Sequence, residues 1–311
     1  MMLLRGDSVA NELLDRLTRL RRERKAVILS HNYQRGEVQD VADFCGDSLG
    51  LSRQAAATDA EVIVFCGVHF MAQTAKLLSP EKTVVMPDVD AGCPMADMIA
   101  PEDVRRLRAE HPGAAVVAYV NTTAEVKAES DVCCTSANAV KVVEAAAAQG
   151  ATEIIFIPDK NLAAWVARHT RATIIAYRGF CPTHVHITTE AVGRLRAEHP
   201  DAVFMCHPEC EPEVVDLADV VLSTSGMLKF ARETDAAEII VGTEVGLLHP
   251  LEKDSPGKRF YGFREAVCPN MKKTTLEKLV HSLETLTTQI EIDEAIAERA
   301  RATVEKMVKY V

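Results

Sequence analysis

The heptapeptide RLRAEHP occurs twice in this chain, as Arg106–Pro112 and as Arg194–Pro200, at an offset of 88 residues. A blurred third copy, RLRRER (Arg19–Arg24), lies upstream, shifted by one residue. Each copy runs into a short apolar stretch: AVILSHNY from Ala26, AAVVAYVN from Ala114 and AVFMCHPE from Ala202. These starts are again 88 residues apart. Short runs rich in Val, Ile and Ala read as strands buried on both faces. The charges of RLRAEHP read as the solvated face of a preceding helix, so the heptapeptide is scaffold rather than site.

Working outward, every unit repeats the same order. A second helix follows, as SLGLSRQAAA from Ser48, SANAVKVVEAAAA from Ser136 and TSGMLKFARE from Thr224. A second strand follows as EVIVFCG from Glu61, EIIFIP from Glu153 and EIIVG from Glu238. A third helix comes next, such as MAQTAKLL from Met71 or NLAAWVARH from Asn161. A third strand closes each unit: KTVVMPD from Lys82, ATIIAY from Ala172 and KRFYGF from Lys258. Alternation of strand and helix implies βα crossovers and parallel sheets. The pattern predicts α/β architecture: three homologous, Rossmann-like αβα domains over residues 1–98, 99–186 and 187–311. The last carries two extra helices, Thr274–Thr288 and Ile292–Lys309. The period exceeds that of solenoid repeats. Three equivalent domains close most simply about a pseudo-threefold axis, as symmetric oligomers do.

Composition narrows the function. The chain has 311 residues and a net charge of −10, which argues against nucleic acid or an anionic membrane as partner. Its start, MMLLRGDSVANELLDRL, is interrupted by Arg5 and Asp7 and lacks the apolar core of a secretion signal. No apolar run reaches the roughly 18 residues of a membrane span. These features lead to the expectation of a cytoplasmic protein. Its nine cysteines are then core filler, metal or cluster ligands, or reactive thiols rather than disulfides. No CxxC pair is present, which excludes a compact zinc ribbon and weakens a thiol-redox role.

Ligands of parallel sheets gather at the carboxyl ends of strands. His31, Tyr119 and His207 end the first strand of each unit at steps of 88, and Tyr33, Asn121 and Glu209 lie two residues beyond. With an axis, six polar side chains converge on one cavity. Ser48, Ser136 and Thr224 recur at the same step where the second helices begin. They are good N-caps, and helix starts also offer free N–H groups to an anion. Three such termini explain how an acidic chain holds an anionic substrate.

One triple of cysteines follows the repeat: Cys93, Cys181 and Cys268, each before a proline, at steps of 88 and 87. Cys66 reads as core, Cys45 as helical, and Cys133 and Cys134 as too close for joint ligation; Cys206, His207 and Cys210 in CHPEC suggest a metal site, but Cys206 replaces Ser30 and Ala118 in the repeat and reads better as a small buried residue. Three thiolates near an axis suit zinc, with His184 as a fourth ligand, or a [4Fe–4S] cluster with one open iron. The threefold placement favours the cubane. An open iron is a Lewis acid suited to dehydration.

These residues resemble those of the quinolinate synthase family, the A protein of de novo NAD synthesis. The resemblance runs through SHNYQ (Ser30–Gln34), GVHFMAQTAKLLSP, YVNTTAEVKAESDVCCTSANA, PDKNL, GFCPTH, HPEC, STSGMLK and CPNMK (Cys268–Lys272). It implies three α/β domains in pseudo-threefold arrangement around one [4Fe–4S] cluster held by Cys93, Cys181 and Cys268. It implies condensation of iminoaspartate (iminosuccinate) with dihydroxyacetone phosphate to quinolinate, phosphate and water, with the imine supplied by an L-aspartate oxidase or dehydrogenase. His31, Ser48, Tyr119, Asn121, Ser136, His207, Glu209 and Thr224 match the family's substrate-binding set, Tyr33 a tyrosine implicated in catalysis, and His184 a histidine near the cluster. Glu209 and the histidines, with Tyr119, are the candidates for proton transfer. Gln73 and Thr183 depart from the pattern, which has Glu and commonly Val there. An isoprenoid reductase or a diphthamide-forming enzyme shares the three-cysteine plan but not HPEC or YVN. A non-catalytic, zinc-stabilised binder of small dicarboxylates is the remaining rival.

Overall fold

The computed structural model describes residues 3–309, with side chains from residue 11. The outermost bounds of the first and third predicted domains, residues 1–2 and 310–311, lie outside the described residues, as does the very start of the segment read above for a secretion signal. No helix among the described residues is long and apolar enough to cross a membrane.

Three parallel four-stranded sheets are interleaved with helices. The first contains α1 (Leu3–Glu23), β1 (Ala26–His31), α2 (Gly36–Asp40), β2 (Phe44–Gly46), α3 (Ser48–Ala57), β3 (Val62–Cys66), α4 (His69–Leu78) and β4 (Thr83–Val85). The second repeats this order. It runs through α5 (Pro101–Glu110), β5 (Ala115–Tyr119), α6 (Ala124–Ala128), β6 (Val132–Cys134), α7 (Ala139–Ala148), β7 (Glu153–Ile157), α8 (Lys160–Ala167) and β8 (Thr173–Ala176). After the one-turn α9 (Pro182–Val185), the third repeats it again. Its elements are α10 (Thr189–Glu198), β9 (Val203–Cys206), α11 (Pro212–Val215), β10 (Val220–Val221), α12 (Thr224–Glu233), β11 (Glu238–Gly242), α13 (Leu248–Asp254) and β12 (Arg259–Gly262). The strand orders are β2-β1-β3-β4, β6-β5-β7-β8 and β10-β9-β11-β12. In each, the order reverses beside the first strand of the repeat, the switch point where open α/β sheets bind ligands.

The sheets each hold one strand more than the sequence pattern gives. β2, β6 and β10 span two or three residues, too few to display a period. Cys45 lies on β2, an edge strand, and not in the helical surroundings its sequence suggests. Cys66 is fully buried in β3, where burial pushes its thiol up. Ser30, Ala118 and Cys206 occupy matching, wholly buried positions near the ends of β1, β5 and β9, so Cys206 is indeed a small core residue.

One contact recurs in every repeat. Asp43, Asp131 and Asp219, at steps of 88, accept the backbone N–H of Ile28, Val116 and Phe204 at 2.9, 2.7 and 2.8 Å. Each aspartate also meets an arginine of the preceding helix, Arg21, Arg108 or Arg196. The arginines belong to the RLRAEHP copies and to their shifted relative, which gives the heptapeptide its structural task. A carboxylate that satisfies a strand N–H contributes about 1–3 kcal/mol. Asp131→Ala is expected to lose that much in a urea titration, with the denaturant slope unchanged. An unaltered midpoint would show that the recurring contact is incidental.

By compactness the chain divides into two units. One runs to Gly92 and takes in Pro269–Ile292; the other comprises Cys93–Cys268 and continues from Asp293. The first unit holds the first sheet, with Ile28, Val64 and Cys66 packed beside Leu17 and Leu279. Leu279 belongs to α14 (Leu276–Thr285), which packs on α1 and β3. The second unit holds the other two sheets. Its last helix, α15 (Glu294–Lys309), packs on α6 and β6. The two C-terminal helices therefore follow the third repeat in sequence but cover the first and second sheets.

Candidate functional site

In the first unit, His31 ends β1 and is nearly buried. Its Nδ1 accepts the Tyr33 N–H at 3.2 Å, and the two rings meet edge-on with centroids 4.6 Å apart. An N–H only donates, so Nδ1 is the acceptor and the neutral ring carries its hydrogen on Nε2. Lys272 holds the Tyr33 carbonyl at 2.5 Å. Ser48 is the first residue of α3, but it is not the cap. Asp47 fills that role, its side chain accepting the Gly50 N–H.

The third repeat copies both features within the second unit. The Glu209 N–H donates to His207 Nδ1 at 3.3 Å, which fixes the same tautomer as in His31. Thr224 is the buried first residue of α12, while Ser223 is the cap. In the second repeat the helix starts later, at Ala139, and Ser136 precedes it. The N-cap role expected of the triple is thus filled by neighbours in α3 and α12.

Within the second unit, the ends of β5 and β9 bring a polar group together. His207 Nε2 lies 3.0 Å from Ser136 Oγ. Since Nε2 carries the hydrogen, Ser136 accepts and its own hydrogen is aimed elsewhere. Burial lowers the His207 pKa to about 3, against the pull of Glu209, so this ring is neutral at physiological pH. Glu209 lies 2.7 Å from His184 Nδ1 and takes a hydrogen bond from the Tyr119 hydroxyl. Burial opposes ionisation of Glu209, but His184, His207 and the bonds from His184 and Tyr119 outweigh it, so its carboxyl is held below the usual range. His184 Nε2 meets Thr243 Oγ1 at 2.9 Å, and its ring stacks on His207. Glu209 Oε1 and Asn121 Oδ1 are buried and have no hydrogen-bond partner among the described residues.

The three Cys-Pro cysteines all lie in this unit and are half-buried free thiols. Burial above all pushes the Cys93 thiol up to about 12; the nearby Cys268 and Glu209 add to this, against backbone N–H bonds from Ala96 and Met95. Cys181 is raised by burial, then by Glu209 and Cys93, and its sulfur accepts the His184 N–H. Cys93 therefore senses both Cys268 and Cys181, and Cys93 and Cys181 share a neighbour in Glu209. Pro182 shows the use of the Cys-Pro pair: it is the first residue of α9, where no N–H is required, and Cys181 is the cap. Neighbouring thiols that burial keeps protonated are a donor set that a cation would stabilise as thiolates, and their chemistry fits a thiolate-bound cluster. Cys181, His184 and Glu209 also place one ligand atom each within 4.8 Å of the others.

Three neighbours escape a reading by steps of 88. Thr243 orients His184. Lys127 is wholly buried, donates to the Thr122 carbonyl, and has its pKa lowered to about 8 by burial, with Cys133, Glu125 and Cys93 opposing. Asp159, in PDKNL, is wholly buried and raised by burial and by Glu209, against backbone N–H bonds from Leu162, Cys181 and Asn161. The signal for Asp159 was present at another offset, in EIIFIPD beside EIIVGTE. Gln73, a departure from the family pattern, is buried in α4, and Thr183 is buried in α9.

Known proteins similar in sequence to this chain share one description. A family model described as quinolinate synthetase A protein matches residues 15–309. The chain is 54% identical over 295 residues to a quinolinate synthase of Dehalococcoides mccartyi, covering 94% of this chain and 97% of that one. It is 52% identical to a quinolinate synthase of Thermodesulfovibrio yellowstonii, covering 97% of this chain and all of the relative. Quinolinate synthase 1 of the archaeon Methanosarcina acetivorans is 51% identical, with 96% and 97% covered.

Proposed function

This chain belongs to the quinolinate synthetase A protein family, and we propose that it condenses iminoaspartate (iminosuccinate) with dihydroxyacetone phosphate. The products are quinolinate, phosphate and water. The observation that carries this reading is the Glu209 cluster beside Cys93 and Cys181, with Cys268 next to Cys93. Cys93, Cys181 and Cys268 hold a [4Fe–4S] cluster in this reading, and its open iron supplies Lewis acidity when bound.

The protein's own residues handle protons and charge. Glu209 is the ionised base, positioned by Tyr119 and His184. The His184 ring, 2.7 Å from the carboxylate, fixes the direction in which Glu209 faces the proton it takes. Ser136, with its lone pair occupied by His207, donates to a carboxylate or phosphate oxygen. Asn121 orients the substrate through the amide whose oxygen lacks a partner. Ser48 and Thr224 lie at helix starts, where N–H groups and the dipole favour anions. His31 and Tyr33 complete the set if the three repeats close about a pseudo-threefold axis, as domains near residues 1–98, 99–186 and 187–311. The unstable imine comes from an aspartate-oxidising enzyme, and the protein acts in the cytoplasm.

Anaerobic purification with iron, sulfide and zinc analysis tests the cofactor. About four irons per chain and a broad visible band are expected. Supplying the imine and the triose phosphate should then give quinolinate; iron-loaded protein that forms none would end the substrate assignment. A second reading rests on the close approach of Cys181, His184 and Glu209. A single zinc ion there would give colourless protein, and it leaves Cys93 and Cys268 without a purpose.

A further inference from the structure

Two buried carboxylates outside the predicted site touch the cysteine loops in the same way. Asp159 Oδ2 accepts the backbone N–H of Cys181 at 3.1 Å, while its Oδ1 accepts that of Leu162 at 2.6 Å and caps α8. Glu244 Oε1 accepts the backbone N–H of Cys268 at 3.0 Å, while its Oε2 accepts that of Gly246 at 2.6 Å. Both side chains are fully buried. Both residues stand six places after the glutamate that opens the second strand of the repeat, in EIIFIPD (Glu153–Asp159) and EIIVGTE (Glu238–Glu244). The first repeat has EVIVFCG, with Gly67 at that place.

Each carboxylate thus joins two things that are far apart in sequence: the end of a core strand and the loop that carries a cysteine. Around Cys181 the link is reinforced. Asp159 bridges Gly179, the Lys160 N–H donates to the Gly179 carbonyl at 2.8 Å, and a Cβ at Gly179 would lie 2.7 Å from the Pro158 carbonyl oxygen. Only glycine lets the loop come so near. The capping oxygen alone satisfies the helix start. The second oxygen of each meets the backbone N–H of a cysteine, a contact that the helix start does not require.

We infer that Asp159 and Glu244 are positioning residues for the cluster, holding Cys181 and Cys268 by their backbone N–H groups so that both sulfurs are set before the metal arrives. This rests on the iron–sulfur reading above. Outer-layer groups of this kind change metal affinity by about 10-fold to 100-fold when removed. The arrangement also makes the three ligands unequal, with Cys93 lacking the carboxylate at the matching position.

Serine separates the two duties of each residue. Its hydroxyl accepts an N–H at the helix start but offers no second oxygen to the cysteine. In Asp159→Ser and Glu244→Ser, purified without oxygen, iron and sulfide per chain, the visible spectrum, and the rate of iron loss to a ferrous chelator are measured. The urea midpoint of the iron-free protein is measured beside them. Iron release about 10-fold faster or more, with a midpoint near that of the parent, is the expected result. Parent-like release in both variants would overturn the inference, as would a lowered midpoint with parent-like release, which marks a purely structural cap. Should Asp159→Ser not fold, Glu244→Ser decides alone. Parent protein that binds no iron overturns the cluster reading and this inference together, whereas iron in the parent with unchanged variants overturns only the inference.

Discussion

Cys181→Ala is expected to leave a folded protein that retains little iron and turns over at least ~10³-fold more slowly. The magnitude follows from the several kcal/mol that a metal Lewis acid supplies to a transition state. Folding should survive, because the thiol is half-buried and the backbone N–H of Cys181, which holds its loop to Asp159, is kept by the substitution. Cys93→Ala and Cys268→Ala should behave alike, and the double variants should be no worse than the singles, since the three act as one unit. Cys66→Ala is the contrast. That cysteine is fully buried in β3, so its loss should lower the urea midpoint and leave the iron content alone. Full iron and full turnover in Cys181→Ala would remove it from the ligand set.

Glu209→Gln is expected to lower turnover about 10²–10⁴-fold, the usual worth of a placed general base, with iron content preserved. Glutamine keeps the size of the side chain and cannot take a proton. The pH profile gives an independent check. The Glu209 carboxyl is held low in the folded protein, where His184 and His207 outweigh burial. A depressed folded pKa means that its ionisation contributes stability above the unfolded value of about 4.3, lost as pH falls through the folded one. The parent should therefore lose stability on acidification below pH ~4.3 more steeply than Glu209→Gln. His207 is neutral far above its pKa of about 3, so neither protein should show an inflection from it near neutrality. Near-parent turnover in Glu209→Gln would leave the carboxylate only a positioning role, and His184 would become the base.

Much of the site could be read from a single sequence because the chain contains its own comparison. A position occupied by His31, Tyr119 and His207 is marked as polar three times over, and the strands behind it are marked as core three times over. Asp43, Asp131 and Asp219 lie on the same step of 88 and are legible in the same way. The short strands β2, β6 and β10 were hidden, since two or three residues carry no periodicity. The caps Asp47 and Ser223 each stand one residue before the expected Ser48 and Thr224. In each case the preferred residue types stand side by side, and only backbone dihedrals tell which is cap and which is first turn.

By itself the sequence determined the number of repeats, the parallel α/β character of each and the short set of residues at strand ends and cysteine loops. Those follow from local periodicity and from the repeat, both of which survive without knowledge of contacts. Tertiary structure decided what each polar group does. It turned His207 toward Ser136, paired His184 with both Glu209 and Thr243, and set Asp159 and Glu244 behind two cysteines. It also carried α14 and α15 back to the first and second sheets. The physical reason is that hydrogen bonds and burial depend on which distant segments share a volume. Asp159 and Cys181 are 22 residues apart, and nothing local in either stretch records that one receives the other's N–H.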